Sequence, residues 1–343
     1  MKPYSEQEGL IEKKGRRQHL KEYAKLLRLY ALPVIAVIPI LGLLSVKGIA
    51  AVKIDHILVL LVTGAFTHVF GHVFNEYMDV DVDALSLELR DKPLVSGAIP
   101  RGHALAITIA ALIGAVALPW LYFSDVIVLV MLMSALAFAG LYNLLHKKIA
   151  GTDVFIAGAV FFSFLFGATS ASRSLTPLTY IVGVLLFLRE LCANSIESAL
   201  KDVEHESAMG IKTVPIMLGV RVKGRKMIVP RRFIAYVYCI EACFMVAFFY
   251  ALYMFGFSNL MVLGPIVILA FAVLYAKRGY LHMEPYEREE LKRRIGVSGA
   301  VTFVFFFAVL FTLMGLVAAS ILAVSFLCSV ASIAVVYGKS PMI

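Results

Sequence analysis

Ile295-Gly-Val-Ser-Gly-Ala-Val-Thr-Phe-Val-Phe-Phe-Phe-Ala-Val-Leu-Phe-Thr-Leu-Met-Gly315-Leu-Val-Ala-Ala-Ser-Ile-Leu-Ala-Val-Ser-Phe-Leu-Cys-Ser-Val-Ala-Ser-Ile-Ala-Val-Val-Tyr-Gly338 contains no charged side chain. A helix crosses a bilayer in about 20 apolar residues, so this stretch is about twice a single span. A hairpin near Gly315 divides it naturally; one span followed by a surface helix is the other arrangement. Either way, the segment belongs in lipid. The rest of the chain agrees: 61% of its 343 residues are hydrophobic and only 16% are charged, far from the composition of soluble domains.

Working back from that stretch, apolar runs predict spans near 30–47, 57–75, 103–122, 126–146, 152–171, 178–200, 232–254, 260–277, 296–316 and 318–338. The predicted fold is all-α, a polytopic membrane helix bundle of nine or ten transmembrane helices. The first thirty residues are charged and polar, with no cleavable signal pattern, so the first span itself directs membrane entry. We divide the chain into a basic segment, 1–29, and a single transmembrane domain, 30–343. Its loops 76–102 and 201–231 are the segments large enough to build a cap.

Charge gives the predicted orientation. Lys2, Lys13, Lys14, Arg16, Arg17, Lys21, Lys25 and Arg28 precede the first span. Further basic clusters follow the sixth span (Lys201 to Arg232) and the eighth (Lys277 to Arg294), whereas Lys53 and Arg173 sit on the opposite side. The positive-inside rule therefore places the N-terminus and the even-span loops in the cytoplasm. The net charge of +9 follows from these loops and suits anionic lipid heads. Nucleic acid is excluded as a partner, because the cations are scattered rather than gathered on one module. Cys192, Cys239, Cys243 and Cys328 all fall in spans, without metal or disulfide spacing.

Two acidic stretches stand at span ends. The first is Asn75-Glu-Tyr-Met-Asp79-Val-Asp-Val-Asp83, followed by Lys92-Pro-Leu-Val-Ser-Gly97; the second is Lys201-Asp202-Val-Glu-His-Glu206. A four-residue step on a helix falls about 40° beyond a full turn, so Asn75, Asp79 and Asp83 share a face, and so do Asp202 and Glu206. Carboxylates so close repel unless protonated or bound to a cation. Oxygen ligands of this kind suit Mg²⁺, which takes its remaining ligands from water and phosphate. Glu76 and Asp81 face elsewhere, and Glu197 with Lys201 reads as an intrahelical ion pair.

In a lipid-embedded chain this chemistry points to a phosphorylated lipid. Two metals would make a diphosphate a good leaving group, and a membrane cavity would keep the resulting carbocation from water. Lys92, Lys147, Lys148 and Lys212 are candidates to hold the departing diphosphate, although Lys147 and Lys148 equally suit a positive-inside anchor. His68, His72 and Asn194 are candidate cavity residues. Glu241 is either a cavity residue or a buried partner of an Arg or Asn. Phe74 and Tyr77 are candidate contacts for a prenyl chain. The competing class is a cation transporter, whose carboxylates would sit at mid-bilayer; here they sit at helix ends on one side.

The order Asn75-x3-Asp79-x3-Asp83, Lys92-Pro-Leu-x-Ser-Gly and Asp202-x3-Glu206-x3-Gly210-Ile-Lys212-Thr213 resembles the two signatures of the UbiA superfamily of intramembrane prenyltransferases. Tyr142 with Lys147-Lys148 is similar to that family's fourth-span ending. The resemblance runs over residues 25–320. It implies a helical bundle around a central cavity and Mg²⁺-dependent transfer of a polyprenyl group from its diphosphate to a membrane-associated acceptor. Carried over, it makes Asn75, Asp79 and Asp83 one metal site and Asp202 and Glu206 the other. Lys92, Tyr142, Lys147 and Lys212 then join Asn75 in binding substrate. Glu76 and Glu206 stand where the family usually has Asp, and Lys92 where it often has Arg, which loses a bidentate fork but keeps the charge. Of the family's acceptors, an aromatic quinone precursor is placed first and a glycerol-phosphate lipid second; haem is set aside, since the second motif lacks that branch's pattern.

Overall fold

The computed structural model describes residues 18–85, 89–257 and 260–337. Residues 1–17 of the basic segment, 86–88 of the first predicted cap loop, and Lys339 lie outside the described residues.

Because lipid offers no partner to a backbone N–H or C=O, spanning segments close their hydrogen bonds internally as helices. The first span is broken into α1 (Leu32–Ala36) and α2 (Ile38–Leu44). Pro39 lacks an amide hydrogen and its ring crowds the preceding turn, which interrupts the helix at Val37. After it come α3 (Ile54–Asp83), α4 (Arg101–Phe123), α5 (Val126–Leu145), α6 (Asp153–Ala171) and α7 (Pro177–Cys192). Asp125 caps α5 by accepting from the Ile127 amide at 2.8 Å, and Thr176 caps α7.

The α7 helix continues as a wider π-helical stretch, Ala193–Ser198, and a last short turn, Ala199–Lys201. The second loop then folds into α8 (Val203–Ala208), α9 (Val214–Met217) and a hairpin of β1 (Arg221–Lys223) and β2 (Lys226–Ile228). This hairpin is too short and too charged to be read from the sequence. Three long helices complete the chain: α10 (Arg231–Met254), α11 (Leu260–Leu281) and α12 (Arg288–Tyr337).

Eight of these helices, with the tail of α7 counted in, are long and apolar enough to cross a membrane. The last of them, α12, is two passes: Gly315 has φ 82° and ψ −178°, a region essentially reserved for glycine, and the chain reverses there. With the shorter broken α1–α2, the described residues make ten apolar passes, at the upper end of the expected count.

The helices form a ring, with α3 against α4, α5 and α1, α6 against α5, α2 and α7, α10 against α7, and α12 against α11 and α1. Outward side chains such as Ile113, Val246, Phe271 and Leu327 are more than half exposed, as a lipid-facing surface requires. Between α2 and α6 the backbones touch. A Cβ on Gly42 would fall 1.9 Å from the Phe164 carbonyl oxygen, and one on Gly167 would fall 1.7 Å from that of Pro39. Small residues at this crossing permit the close approach.

Candidate functional site

At 30 residues, α3 is about 45 Å long at 1.5 Å per residue, longer than the ~30 Å hydrocarbon core. Its last turns therefore carry Asn75, Asp79 and Asp83 to the membrane boundary. Asp83 is buried and bridged by two cations, Lys92 at 2.7 Å and Lys147 at 2.8 Å. Asp79 accepts from His146 Nε2 at 3.2 Å and lies 3.4 Å from Lys147. Asn75 Oδ1 accepts from Arg28 at 3.5 Å. The off-face carboxylate Glu76 pairs with Arg28 and with Lys92, and Asp81 pairs with Arg101 on the outer surface. Burial alone would favour the neutral amine of Lys92, but Glu76 and Asp83 outweigh it and hold its pKa above the ordinary lysine value.

On the other side, the segment that runs from α7 through Lys201 and the turn at Asp202 into α8 carries Glu190, Asn194, Ser198, Asp202 and Glu206 at four-residue steps. In a plain α-helix each step drifts about 40°, so the four steps from Glu190 to Glu206 would wind off the face. The π-helical turn packs more residues into a turn and reverses that drift. All five border the cavity in consequence. Asp202 Oδ1 lies 3.4 Å from Arg288. Burial, and then the neighbouring Asp202 carboxylate, push the Glu206 carboxyl up to about 7.

These two arms meet at a cavity of about 430 Å³. Asn75, Asp79, Asp83 and Lys92 border it from the α3 side, Tyr142 and Lys147 from the end of α5, and Asp202 and Glu206 from across. Lys212 borders a side pocket of about 60 Å³ that shares Tyr142, Asp202 and Glu206 with the main chamber. The inner wall is apolar, with Ile35, Ile38, Ala139, Ile156, Ala159 and Val160. A chamber with a charged mouth and an apolar depth can hold a molecule with an anionic head and a hydrocarbon tail.

No three Asp, Glu, His or Cys side chains converge to enclose a metal by themselves among the described residues. The donor set is two carboxylate pairs on facing elements, which suits an ion that completes its shell with water and substrate oxygens. Glu206 Oε2 is buried without a hydrogen-bond partner, an acceptor that a hard cation would satisfy. Asn75, Asp79 and Asp83 on one side, and Asp202 and Glu206 on the other, are the residues able to hold such ions.

Several sequence expectations change. Glu197 does not pair with Lys201. The π-helical turn carries it to the opposite side, where it meets Lys277 at 2.9 Å and Arg189 at 3.3 Å. Lys277, counted with the loop cations, is fully buried, and Glu241 is its second partner at 3.0 Å, a lysine rather than the Arg or Asn considered. Tyr77 lies under Arg101, 5.6 Å from the guanidinium, and Phe74 stacks on Phe70; neither borders the cavity. Lys148 is exposed and faces away. His68, His72 and Asn194 do border the chamber. His146, Arg28 and Arg288 were not singled out as site residues. The signal for Glu190 and Ser198 was present in the unbroken four-residue ladder that ends at Glu206.

Residues 36–292 match the UbiA prenyltransferase family. The digeranylgeranylglyceryl phosphate synthase of Methanothermobacter thermautotrophicus is 26% identical over 297 residues, covering 84% of this chain and 96% of that one. The enzyme of the same name from Natronomonas pharaonis is 29% identical over 168 residues. That match spans 47% of this chain and only about half, 54%, of the relative's length. In structure, a UbiA homolog from Archaeoglobus fulgidus, bound to GPP and Mg²⁺, superposes with a TM-score of 0.61 at 20% identity, over 86% of this chain and all of that one. Its likeness shows the fold. With the motifs in order and the family match covering three quarters of its length, the chain belongs to the UbiA prenyltransferase family.

Proposed function

We propose that the protein is an intramembrane prenyltransferase that moves a polyprenyl group from its diphosphate to a membrane-associated acceptor. The observation carrying this reading is that Asp79 and Asp83 on one element, and Asp202 and Glu206 on another, border a single chamber whose inner wall is apolar. The diphosphate sits at the charged mouth and the isoprenoid tail in the apolar depth. Mg²⁺ held by Asn75, Asp79 and Asp83, and by Asp202 and Glu206, would neutralise the diphosphate and make it a good leaving group. Lys92 and Lys147 take up charge on the departing diphosphate. The chamber shields the allylic cation from water until the acceptor's nucleophile closes the new bond and gives up its proton. On the positive-inside argument the charged mouth faces the cytoplasm.

As acceptor we place a glycerol-phosphate lipid ahead of the aromatic ring favoured from sequence. Two findings support this order. The relatives reported above are digeranylgeranylglyceryl phosphate synthases. The chamber also has Arg28 and Arg288 on its wall, cations beyond the lysines on Asp83 and fit for a second phosphate. Purified protein in proteoliposomes, given labelled geranylgeranyl diphosphate, Mg²⁺ and a panel of acceptors, tests the reading. An ether product from a glycerol-phosphate acceptor is expected. A labelled aromatic product would overturn the choice of acceptor, and no labelled product with any acceptor would overturn the function.

A further inference from the structure

Behind the second acidic pair lies a group of charged side chains that the proposed reaction does not use. Lys277 on α11 is fully buried. Its Nζ donates to Glu197 Oε1 at 2.9 Å and to Cys192 Sγ at 3.1 Å, and lies 3.0 Å from Glu241 Oε1 on α10. Arg189 reaches the other oxygen of Glu197. Two cations and two carboxylates thus balance inside the bundle. Ionisable groups at membrane depth are rare and generally functional.

The place of Glu197 shows what this group does. It lies within Ala193–Ser198, the π-helical turn, and points away from the chamber, while Asn194 and Ser198 of the same turn face into it. Ser195, also on the rear side, accepts from Tyr236 Oη of α10 at 2.9 Å. The wide turn is therefore tethered from behind by α10 and α11. Without it, the four-residue ladder would drift about 40° per step along the helix and carry Asp202, the residue from which α8 and Glu206 leave, off the chamber. π-Helical turns are costly and concentrate at functional sites.

We propose that Lys277 is a positioning residue for the second acidic pair: by gripping Glu197 against Glu241, it holds open the π-helical turn that keeps Asp202 and Glu206 facing Asp79 and Asp83. The inference rests on the functional reading above. Lys277 touches neither substrate nor metal in it. Its contribution is the direction in which the next turns of helix leave.

The test is Mn²⁺ binding in the presence of inorganic diphosphate, followed by electron paramagnetic resonance on purified protein in detergent. Asp79→Asn and Asp202→Asn identify the two sites. The double variant Lys277→Met/Glu241→Gln removes the ionic grip on Glu197 from α10 and α11, while leaving Arg189 to pair with Glu197 and Tyr236 to hold Ser195. We expect at least a tenfold weakening of the site that Asp202→Asn abolishes and no change in the site that Asp79→Asn abolishes. A general structural role would weaken both together. Unchanged binding at both sites, or equal loss at both in a variant that melts cooperatively, overturns the proposal. Should the double variant fail to fold, Glu197→Gln, which keeps the shape and removes the charge, decides in the same way. Failure of the functional reading looks different: Asp79→Asn and Asp202→Asn would then bind Mn²⁺ and diphosphate as the unaltered protein does.

Discussion

The rings of Phe303 and Phe326 stack with centroids 3.9 Å apart. In one straight helix the 23-residue separation would put them about 35 Å apart. Their contact shows that α12 folds back on itself at Gly315, and that the uncharged stretch at the end of the chain is two antiparallel passes.

Gly315→Ala tests the reversal. A side chain at φ 82° and ψ −178° costs about 1–3 kcal/mol, and nothing crowds the added Cβ within 4 Å, so the loss reports backbone strain rather than a clash. Thermal unfolding in detergent is expected to shift down accordingly. An unchanged midpoint would contradict the assigned backbone conformation.

Asp79→Asn and Asp202→Asn are each expected to lower prenyl transfer by at least about a hundredfold, the scale on which loss of transition-state electrostatics is felt. Asp81→Asn is the control. Its carboxylate is exposed and pairs with Arg101, an ion pair worth about 0–1 kcal/mol, and activity is expected to stay within twofold. Steady-state rates in proteoliposomes check all three, and equal effects at Asp79 and Asp81 would remove the assignment.

Chelation of divalent cations is expected to abolish transfer and leave the fold intact. Lys92 and Lys147 already offset Asp83, His146 donates to Asp79, and Arg288 lies beside Asp202. The metal-free protein is therefore not left with a bare anionic cluster at these positions. Melting curves with and without EDTA should lie within a few degrees of each other, while activity returns only when Mg²⁺ is added back. Activity in EDTA would exclude the mechanism.

Glu206 gives a pH signature. Its folded pKa, about 7, is raised above the ordinary glutamate value near 4.3. Below that ordinary value the group is protonated in both states and has no effect. As pH rises towards 7, the unfolded chain gives up a proton that the folded protein retains, so stability falls and then levels off. Glu206→Gln should therefore raise the melting temperature of the metal-free protein at pH 8 and leave it nearly unchanged at about pH 3.5, below the ordinary glutamate value. No difference at pH 8 would show that the carboxyl is not held in this environment.

Much of this was legible in the chain. Span positions follow from apolar runs, and the reversal from a glycine in the middle of one run. The facing of Asn75, Asp79 and Asp83 follows from helical periodicity, because α3 is regular. The second arm is where that arithmetic fails. Glu197 and Lys201 have the spacing of an intrahelical pair, yet a π-helical turn sends Glu197 to the rear. Lys277 stands next to Arg278 at the edge of a basic loop and looks like a surface anchor. Its burial depends on carboxylates contributed by two other helices, 80 and 36 residues earlier in the chain, and local sequence carries no trace of that. His146 and Arg288 were missed for the same reason: their partners, Asp79 and Asp202, are brought to them by tertiary packing.

The contact between Gly42 and Gly167 and the main chain opposite each has a mechanical consequence. With no side chain to act as a bearing, neither α2 nor α6 can slide or roll without dragging the other. The wall bearing Ile38, Ala159, Val160 and Ser163 therefore behaves as one stiff plate. On that flank, room for a longer or bulkier hydrocarbon is gained or lost by trimming or enlarging individual residues, and the helices themselves stay where they are.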